Sequence, residues 1–160
     1  METKHSEWKL GHAIVYPTVD CAIFDGKPGF DGKIWLARKE NERNWRFVGG
    51  FVDPSDNSLE EAAKREAEEE TGAKCKVLSY ISSFRIDDPR YKNFDDKIVT
   101  AFFCMTVDDK NAVPSAKDDI KELRLFRWEE LSSEMFIEHH RELFEELVKF
   151  LLSYENDFAQ

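Results

Sequence analysis

The stretch REAEEETG, residues 65–72, places Glu66, Glu68, Glu69 and Glu70 within five consecutive positions. A run of glutamates usually marks the solvated face of a helix, because like charges repel and prefer water. The direction of each side chain decides whether that interpretation holds. Those directions depend on where the helix begins and ends.

Both ends of this helix carry recognisable signals. Ser58 is a good N-cap, and Glu61 three residues later completes the pattern of a capping box. Gly72 suits the left-handed position that follows a helix C-terminus. The sequence therefore predicts a helix from about Leu59 to Glu70.

Three of the four glutamates are predicted to point inward. The small and apolar residues of one face are Leu59, Ala62, Ala63 and Ala67. On a helix that advances roughly 100° per residue, Glu66 and Glu70 fall within about 20° of Leu59. Glu69 falls at the edge of the stripe, about 80° from Leu59, whereas Glu68 faces water. We therefore expect Glu66, Glu69 and Glu70 to face the body of the protein.

Converging carboxylates require compensation. Buried like charges raise one another's pKa and destabilise the fold unless a counter-charge is present. Mg²⁺ provides that charge, prefers oxygen ligands and shares them with substrate phosphates. The alternative is a set of Arg or Lys partners from neighbouring elements. The spacing favours a metal site formed by Glu66, Glu69 and Glu70.

Composition limits the class of protein. The 160 residues correspond to about one domain, residues 1–160. The net charge of −10 argues against nucleic acid as a partner. No apolar stretch is long enough to span a bilayer, and the N-terminus has no apolar signal region, so we expect no membrane and a cytoplasmic location. Three separated cysteines show no metal-ligand spacing and are expected to be small buried hydrophobes.

The remaining elements indicate an α/β (α+β) fold. Predicted strands cover residues 12–24 (with a possible break at Pro17), 34–39, 45–50, 76–84, 97–107 and 122–128. Apolar residues at helical spacing predict a second helix from about Glu134 to Leu152. This order favours a mixed sheet with helices on its faces.

The sequence GGFVDPSDNSLEEAAKREAEEETGA, residues 49–73, resembles the Nudix box. That signature reads Gly, five residues, Glu, seven residues, then Arg-Glu-aliphatic-any-Glu-Glu-any-Gly-aliphatic. Gly50 opens it, and its second half is matched by Arg65, Glu66, Ala67, Glu69, Glu70, Gly72 and Ala73. Fourteen residues separate Gly50 from Arg65 instead of thirteen, so either Asp56 or Asn57 occupies the slot of the first glutamate. The resemblance implies the Nudix fold, an α/β/α sandwich with a mixed β-sheet.

The resemblance also implies a reaction. Nudix hydrolases cleave a nucleoside diphosphate linked to another moiety, using Mg²⁺ or Mn²⁺. The metal ligands would be Glu66, Glu69, Glu70 and the Gly50 carbonyl. The catalytic residues would be Glu70, Glu69 and Arg65, with Arg65 orienting a glutamate.

Residues 82–103, SSFRIDDPRYKNFDDKIVTAFF, resemble the segment after the box in ADP-ribose pyrophosphatases. We therefore expect cleavage of ADP-ribose or a related compound to AMP and a phosphorylated moiety, with loop 87–91 overhanging the metal site. Aromatic rings for stacking on adenine would come from Phe84, Tyr91 and Phe94. Contacts to phosphate or ribose would come from Arg46, Arg85 and Arg90. The alternatives are core packing for the aromatic residues and surface ion pairs for the arginines.

Two other functions stay open at this level. One is a house-cleaning pyrophosphatase for nucleoside triphosphates or dinucleoside polyphosphates. The other is a non-catalytic ADP-ribose sensor, against which the intact glutamates argue. The expected partner is a small-molecule nucleotide, and a homodimer is possible, as in relatives of the ADP-ribose type.

Overall fold

The computed structural model describes residues 13–89 and 95–158 of the chain. Six strands are present in these ranges: β1 (Val15–Phe24), β2 (Lys33–Lys39), β3 (Val48–Phe51), β4 (Cys75–Ile86), β5 (Lys97–Val107) and β6 (Ile120–Arg127). The helices are α1 (Leu59–Thr71) and α2 (Glu138–Phe158). Short 3₁₀ turns at Trp128–Glu130 and Ser133–Met135 connect β6 to α2.

The strands form one mixed sheet in the order β4-β5-β1-β2-β6, with β3 beside β1. Strand β1 pairs in parallel with β5 along its whole length. Its other edge is shared. Residues Thr18–Cys21 pair with β3, and Ile23 and Phe24 pair with β2. The sheet therefore opens between β1 and β2 where β3 enters, and that opening brings two glycines of β3 beside α1.

The two helices cover opposite faces of this sheet. Side chains alternate between faces along a strand. In β1, Val19, Cys21 and Ile23 pack with Ala62, Ala63 and Ala67 of α1. Their neighbours Ala22 and Phe24 pack with Leu143, Leu147 and Leu151 of α2. The predicted α/β/α sandwich is confirmed.

The predicted ends of α1 are nearly correct. The Ser58 hydroxyl accepts a hydrogen bond from Glu61 N at 3.1 Å. The Glu61 carboxylate accepts from Asn57 N at 3.1 Å, one residue earlier than a capping box requires. Gly72 adopts φ +70°, and its N–H donates to Glu68 O at 2.8 Å. A residue with a Cβ would be strained in that conformation.

The predicted start of the second helix is wrong. The helix begins at Glu138 instead of Glu134, because Met135 and Ile137 use their backbone groups elsewhere. Trp45 N donates to Met135 O at 2.8 Å, and Ile137 N donates to Trp45 O at 2.9 Å. The helix continues past Leu152 to Phe158, since neither glycine nor proline occurs there to end it. No helix within the described ranges has the length and apolar character needed to cross a membrane.

Strand β1 runs through Pro17 without the break that its sequence suggested. Pro17 lies opposite Val99 in the parallel ladder with β5. Its carbonyl accepts a hydrogen bond from Val52 N at 3.1 Å. Proline lacks only the donor, so its carbonyl still joins β1 to the residue after β3.

All three cysteines are free and buried, as expected. Burial raises the pKa of the Cys75 and Cys104 thiols to about 12. Thiols with such a pKa are inert packing residues at neutral pH.

The helix cap predicts a stability difference. Ser58→Ala removes the acceptor for Glu61 N and should lower the free energy of unfolding by about 1 kcal/mol. Ser153→Ala makes the same chemical change at an exposed interior position of α2, where alanine is the better helix former. It should leave stability unchanged or slightly raised in urea unfolding. Equal losses in the two variants would show that the Ser58 hydroxyl contributes nothing as a cap.

Candidate active site

The site is centred on two consecutive glycines of β3 that face two glutamates of α1. Gly49 N donates to Glu70 Oε2 at 3.0 Å. A Cβ added to Gly50 would lie only 2.5 Å from Glu66 Oε1 and 2.6 Å from its carboxyl carbon. Real Cβ atoms do not approach so closely, so only glycine lets the Glu66 carboxylate lie directly against the strand.

Both of these carboxylates are buried. Glu66 is 9% exposed and Glu70 only 3%. Burial raises the pKa of Glu70 to about 8, although the Gly49 N–H and the nearby Lys39 charge oppose the shift. Burial also raises the pKa of Glu66, against the stabilising bond from Arg65. The protein therefore holds two carboxylates where negative charge is only partly compensated.

Arg65 connects the helix to the loop that precedes it. Its Nε and Nη2 donate to Asp56 Oδ1 and Oδ2 at 2.9 and 2.8 Å. Nη2 also donates to Phe51 O at 3.0 Å, and Nη1 donates to Glu66 Oε1 at 2.9 Å. Of the two residues that could occupy the slot in the lengthened loop, Asp56 is thus the one that contacts Arg65. The bond to Arg65 is the main cause that lowers the pKa of Asp56.

The expected inward direction is correct for Glu66 and Glu70 but not for Glu69. The Glu69 side chain is 50% exposed, and its Oε2 accepts from Arg65 Nη1 at 3.1 Å. Leu59, taken as the centre of the buried stripe, is itself 39% exposed, because the first turn of α1 extends beyond the core. The buried face is therefore centred nearer Ala63 and Ala67, and Glu69 lies at its rim.

Three further charged residues act electrostatically on Glu66 or Glu70, namely Lys39, Asp118 and Asp119. The sequence did not indicate that any of them lies near these glutamates. Lys39 Nζ lies 2.7 Å from Asp119 Oδ2. The negative charges of Asp119 and Asp118 help to raise the pKa of Glu70 and Glu66, respectively. The backbone fixes their loop, since Lys117 N donates to Glu70 O at 3.0 Å. The sequence Asp118-Asp119 is typical of a turn. The sequence does not indicate that this turn contacts the end of α1.

A second group of polar residues lies behind β3. The buried Asp20 carboxylate accepts from Thr100 Oγ1 at 2.6 Å and lies 3.5 Å from His140 Nε2. His140 Nδ1 accepts from Phe47 N at 3.1 Å. The sequence predicted a helix around His140 and a strand around Asp20, and neither residue was expected near the site.

The NUDIX domain family matches residues 16–147 of the chain. The chain belongs to the Nudix family. The residues at Nudix-box positions contact one another. Gly50 lies against Glu66, and Arg65 donates to both Glu66 and Glu69.

Known Nudix proteins share the fold at modest sequence identity. A MutT/nudix family protein from Enterococcus faecalis is 26% identical, with a TM-score of 0.58, over 76% of this chain and 48% of that one. The NUDIX domain of Shewanella oneidensis NrtR, solved with ADP ribose, is 17% identical with a TM-score of 0.66, and the match covers 94% of both chains. At that identity the likeness to NrtR shows the fold alone.

A curated relative gives a local match. The Bacillus subtilis (strain 168) protein YtkD, which carries the provisional name 8-oxo-dGTP diphosphatase, is 44% identical over 57 residues. The match spans 36% of this chain and about a third, 35%, of YtkD. A match of that length leaves most of the chain uncompared.

Phe84 and Arg85, two of the substrate-binding residues expected in this Nudix domain, are neighbours on β4. Phe84 is half-buried against the core cluster beneath α2. Arg85 follows it on β4 and so points to the opposite face, where its Nε donates to Asp87 Oδ1 at 3.1 Å. Phe84 and Arg85 therefore cannot line one surface of the strand. Arg90, with Tyr91 and Phe94, lies outside the described residues, and so do residues 90 and 91 of the loop expected to overhang the site.

Arg46 acts electrostatically on Asp20 and His140, the polar residues behind β3. Its backbone pairs with Ala37 of β2, and its Nη1 lies 3.5 Å from Glu42 Oε1. Burial raises the pKa of Asp20 to about 6 and lowers that of His140 well below its usual range. The Arg46 charge opposes the shift in the pKa of Asp20 and adds to the shift in the pKa of His140. Arg46 Nε is buried and has no hydrogen-bond partner in the described part of the chain.

The donor set fits a hard divalent cation, although the three glutamates do not form a ready ligand group. Within the two described ranges, no three acidic, cysteine or histidine side chains converge as ligands of a metal ion. Two buried carboxylates nevertheless lie against glycines, and Arg65 Nη1 bonds both Glu66 and Glu69. Carboxylate oxygens are the ligands that Mg²⁺ and Mn²⁺ prefer. Glu69 would have to turn from Arg65 to join them.

The raised pKa of Glu70 predicts a pH-dependent stability. The folded protein holds the Glu70 proton more tightly than the unfolded chain, whose pKa is near 4.5. With a chelator present, this group should therefore make stability fall as pH rises from about 4.5 to about 8. Glu70→Gln should remove that component and be more stable than the parent by about 1–4 kcal/mol at the upper end.

Urea unfolding across this pH range measures the difference between the two proteins. Glu68→Gln, which changes an exposed glutamate of the same helix, should keep the parental pH profile. Parallel profiles for the parent and Glu70→Gln would contradict the raised pKa.

Proposed function

We propose that this Nudix protein is a pyrophosphohydrolase that cleaves the diphosphate of nucleoside diphosphate compounds and depends on Mg²⁺ or Mn²⁺. The observation that carries the proposal is the seating of Glu66 and Glu70 against Gly50 and Gly49. Burying two carboxylates side by side is unfavourable without a counter-charge. A bound cation would supply that counter-charge and would share its coordination with a substrate phosphate.

Each residue of the site has a defined part in this reaction. The bound cation would polarise the diphosphate and make a coordinated water a better nucleophile. Glu66 and Glu70 would hold it from the buried side, with the Gly50 carbonyl beside them. Glu69, which is half exposed at the rim, would complete the ligand set from the solvent side. Arg65, anchored by Asp56, would orient Glu66, while Glu69 would turn away from Arg65 to reach the cation.

Positive groups act on Glu70 and on Asp20, and positive charge suits a diphosphate. The chain is acidic overall, with a net charge of −10, so an anionic substrate needs local cations. Lys39 acts electrostatically on Glu70. Arg46 acts on Asp20, and its buried Nε has no hydrogen-bond partner within residues 13–89 and 95–158. A buried donor left unpaired is costly, and a phosphate oxygen would satisfy it.

ADP-ribose is the substrate that we propose first, with AMP and ribose 5-phosphate as products. Support comes from the resemblance of residues 82–103 to ADP-ribose pyrophosphatases. The positions of Phe84 and Arg85 add no support, because the two side chains point to opposite faces of β4. A nucleoside triphosphate such as 8-oxo-dGTP is the second candidate, and the 44% identity to YtkD over 57 residues favours it.

A substrate panel with product identification separates these candidates. ADP-ribose, 8-oxo-dGTP, dGTP and a dinucleoside polyphosphate would each be tested with Mg²⁺ and with Mn²⁺. We expect the highest kcat/KM for ADP-ribose, and no hydrolysis when a chelator is in excess. Turnover of 8-oxo-dGTP with ADP-ribose left intact would replace the first substrate by the second. Activity undiminished by the chelator would remove the metal-dependent mechanism.

Substitutions in α1 test the assignment of its carboxylates. Glu66→Gln and Glu70→Gln should each lower kcat by about a hundredfold or more, because each removes a charge from the buried side of the site. Glu69→Gln should also lower kcat, although it acts from the rim. Glu68→Gln is the matched control, since its side chain is exposed on the same helix, and it should retain parental kinetics. Equal losses for Glu68→Gln and Glu70→Gln would refute the assignment by direction.

A further inference from the structure

Asp20 lies directly opposite Gly49 in the ladder between β1 and β3. Its carboxylate is buried, with 7% of the residue exposed. A Cβ added to Gly49 would lie 2.8 Å from Asp20 Oδ1 and 2.2 Å from Val19 O. The absence of a side chain at Gly49 therefore gives the Asp20 carboxylate its place, just as Gly50 does for Glu66 on the other side of the strand.

The Asp20 carboxylate is held by groups from two other elements. Thr100 of β5 donates to Oδ2 at 2.6 Å, and His140 Nε2 of α2 lies 3.5 Å from Oδ1. Burial lowers the pKa of His140 well below its usual range, so its ring is neutral. Because Nδ1 accepts from Phe47 N, the ring proton must be on Nε2, which faces Asp20.

The same residues hold the chain on both sides of Val48. His140 fixes Phe47 through a hydrogen bond and through ring stacking, with centroids 5.8 Å apart at an angle of 18°. Asp20 contacts Gly49, whose N–H donates to Glu70 at 3.0 Å. The charge of Arg46 also attracts the Asp20 carboxylate. The helix on one face of the sheet is thus linked through β3 to the carboxylates on the other face.

We propose that Asp20 is a positioning residue that, with Thr100 and His140, fixes Gly49 and Gly50 against Glu70 and Glu66. Asp20 does not touch the reacting atoms in this account. It sets the backbone to which the carboxylates are fitted, and so determines how tightly a divalent cation binds. The link to catalysis depends on the proposed function, whereas the effect on the backbone does not.

Amide hydrogen exchange at Gly49, followed by NMR without metal or substrate, tests the backbone part. Asp20→Asn and Thr100→Val should accelerate exchange at Gly49 by about tenfold relative to the core amides of Ala22 and Ile23. Using that ratio separates local loosening from a general loss of stability. His140→Asn keeps an acceptor near Nδ1 but removes the group that faces Asp20, and it should show the same effect. Thr106→Val is the control: it removes a hydroxyl of the same strand that donates to Gly26 O at 2.6 Å.

Two further readouts separate this proposal from the proposed function. Mn²⁺ affinity, measured by electron paramagnetic resonance without substrate, should fall by about tenfold in Asp20→Asn and remain parental in Thr106→Val. In turnover assays of Asp20→Asn, kcat should fall and KM should stay within about twofold of the parental value, because positioning acts on the reacting geometry.

Unchanged exchange at Gly49 in Asp20→Asn, Thr100→Val and His140→Asn would overturn the proposal, whether or not the protein hydrolyses a nucleotide. Altered exchange in a protein that neither binds Mn²⁺ nor cleaves nucleotides would refute the proposed function and leave the positioning role standing.

Discussion

The close approach between α1 and the Gly49-Gly50 segment is the constraint on which the site depends. A single methyl group at Gly50 would overlap the Glu66 carboxylate, and one at Gly49 would overlap the carbonyl of Val19. The small residues Ala62, Ala63 and Ala67 let the helix lie near the sheet. Once the helix is so close, Glu66 and Glu70 can only be buried. Their raised pKa values follow from packing, since protein interiors disfavour an uncompensated charge.

The neighbouring residues compensate only part of the negative charge of Glu66 and Glu70, and a bound cation would compensate the remainder. Arg65 neutralises Glu66, and it is itself fixed by both oxygens of Asp56. No such bidentate partner serves Glu70 among the described residues; it has one backbone N–H and the more distant charge of Lys39. Lys39 is in turn paired with Asp119. Binding of a cation would stabilise the folded protein, because the cation supplies the counter-charge that the buried carboxylates lack.

The sequence predicted features that depend on local periodicity, and it failed where distant segments meet. The ends of α1 follow from the capping residues Ser58 and Gly72, and the burial of Glu66 and Glu70 follows from the helical repeat. Glu69 was misplaced because a wheel centred on Leu59 assumes that every turn of the helix is covered, and the first turn is not. Asp56 could not be chosen over Asn57, since a loop has no repeat that fixes direction. The start of α2 was wrong because Trp45, about ninety residues away, takes up the backbone groups of Met135 and Ile137. Asp20, Thr100 and His140 come from three separate elements, so their meeting depends on strand order and register.

Mn²⁺ binding to Gly50→Ala measures the central claim most directly. Electron paramagnetic resonance titration would compare this variant with the parent protein and with a control variant, Gly26→Ala. In the control, the new methyl group meets no atom within 4 Å, but alanine is strained at the φ of +97°. We expect Gly50→Ala to remain folded and to bind Mn²⁺ at least about tenfold more weakly, because Glu66 is displaced. We expect Gly26→Ala to lose stability without losing affinity for Mn²⁺. Parental affinity in Gly50→Ala would contradict the account, since it would show that the carboxylates need no glycine against which to be held.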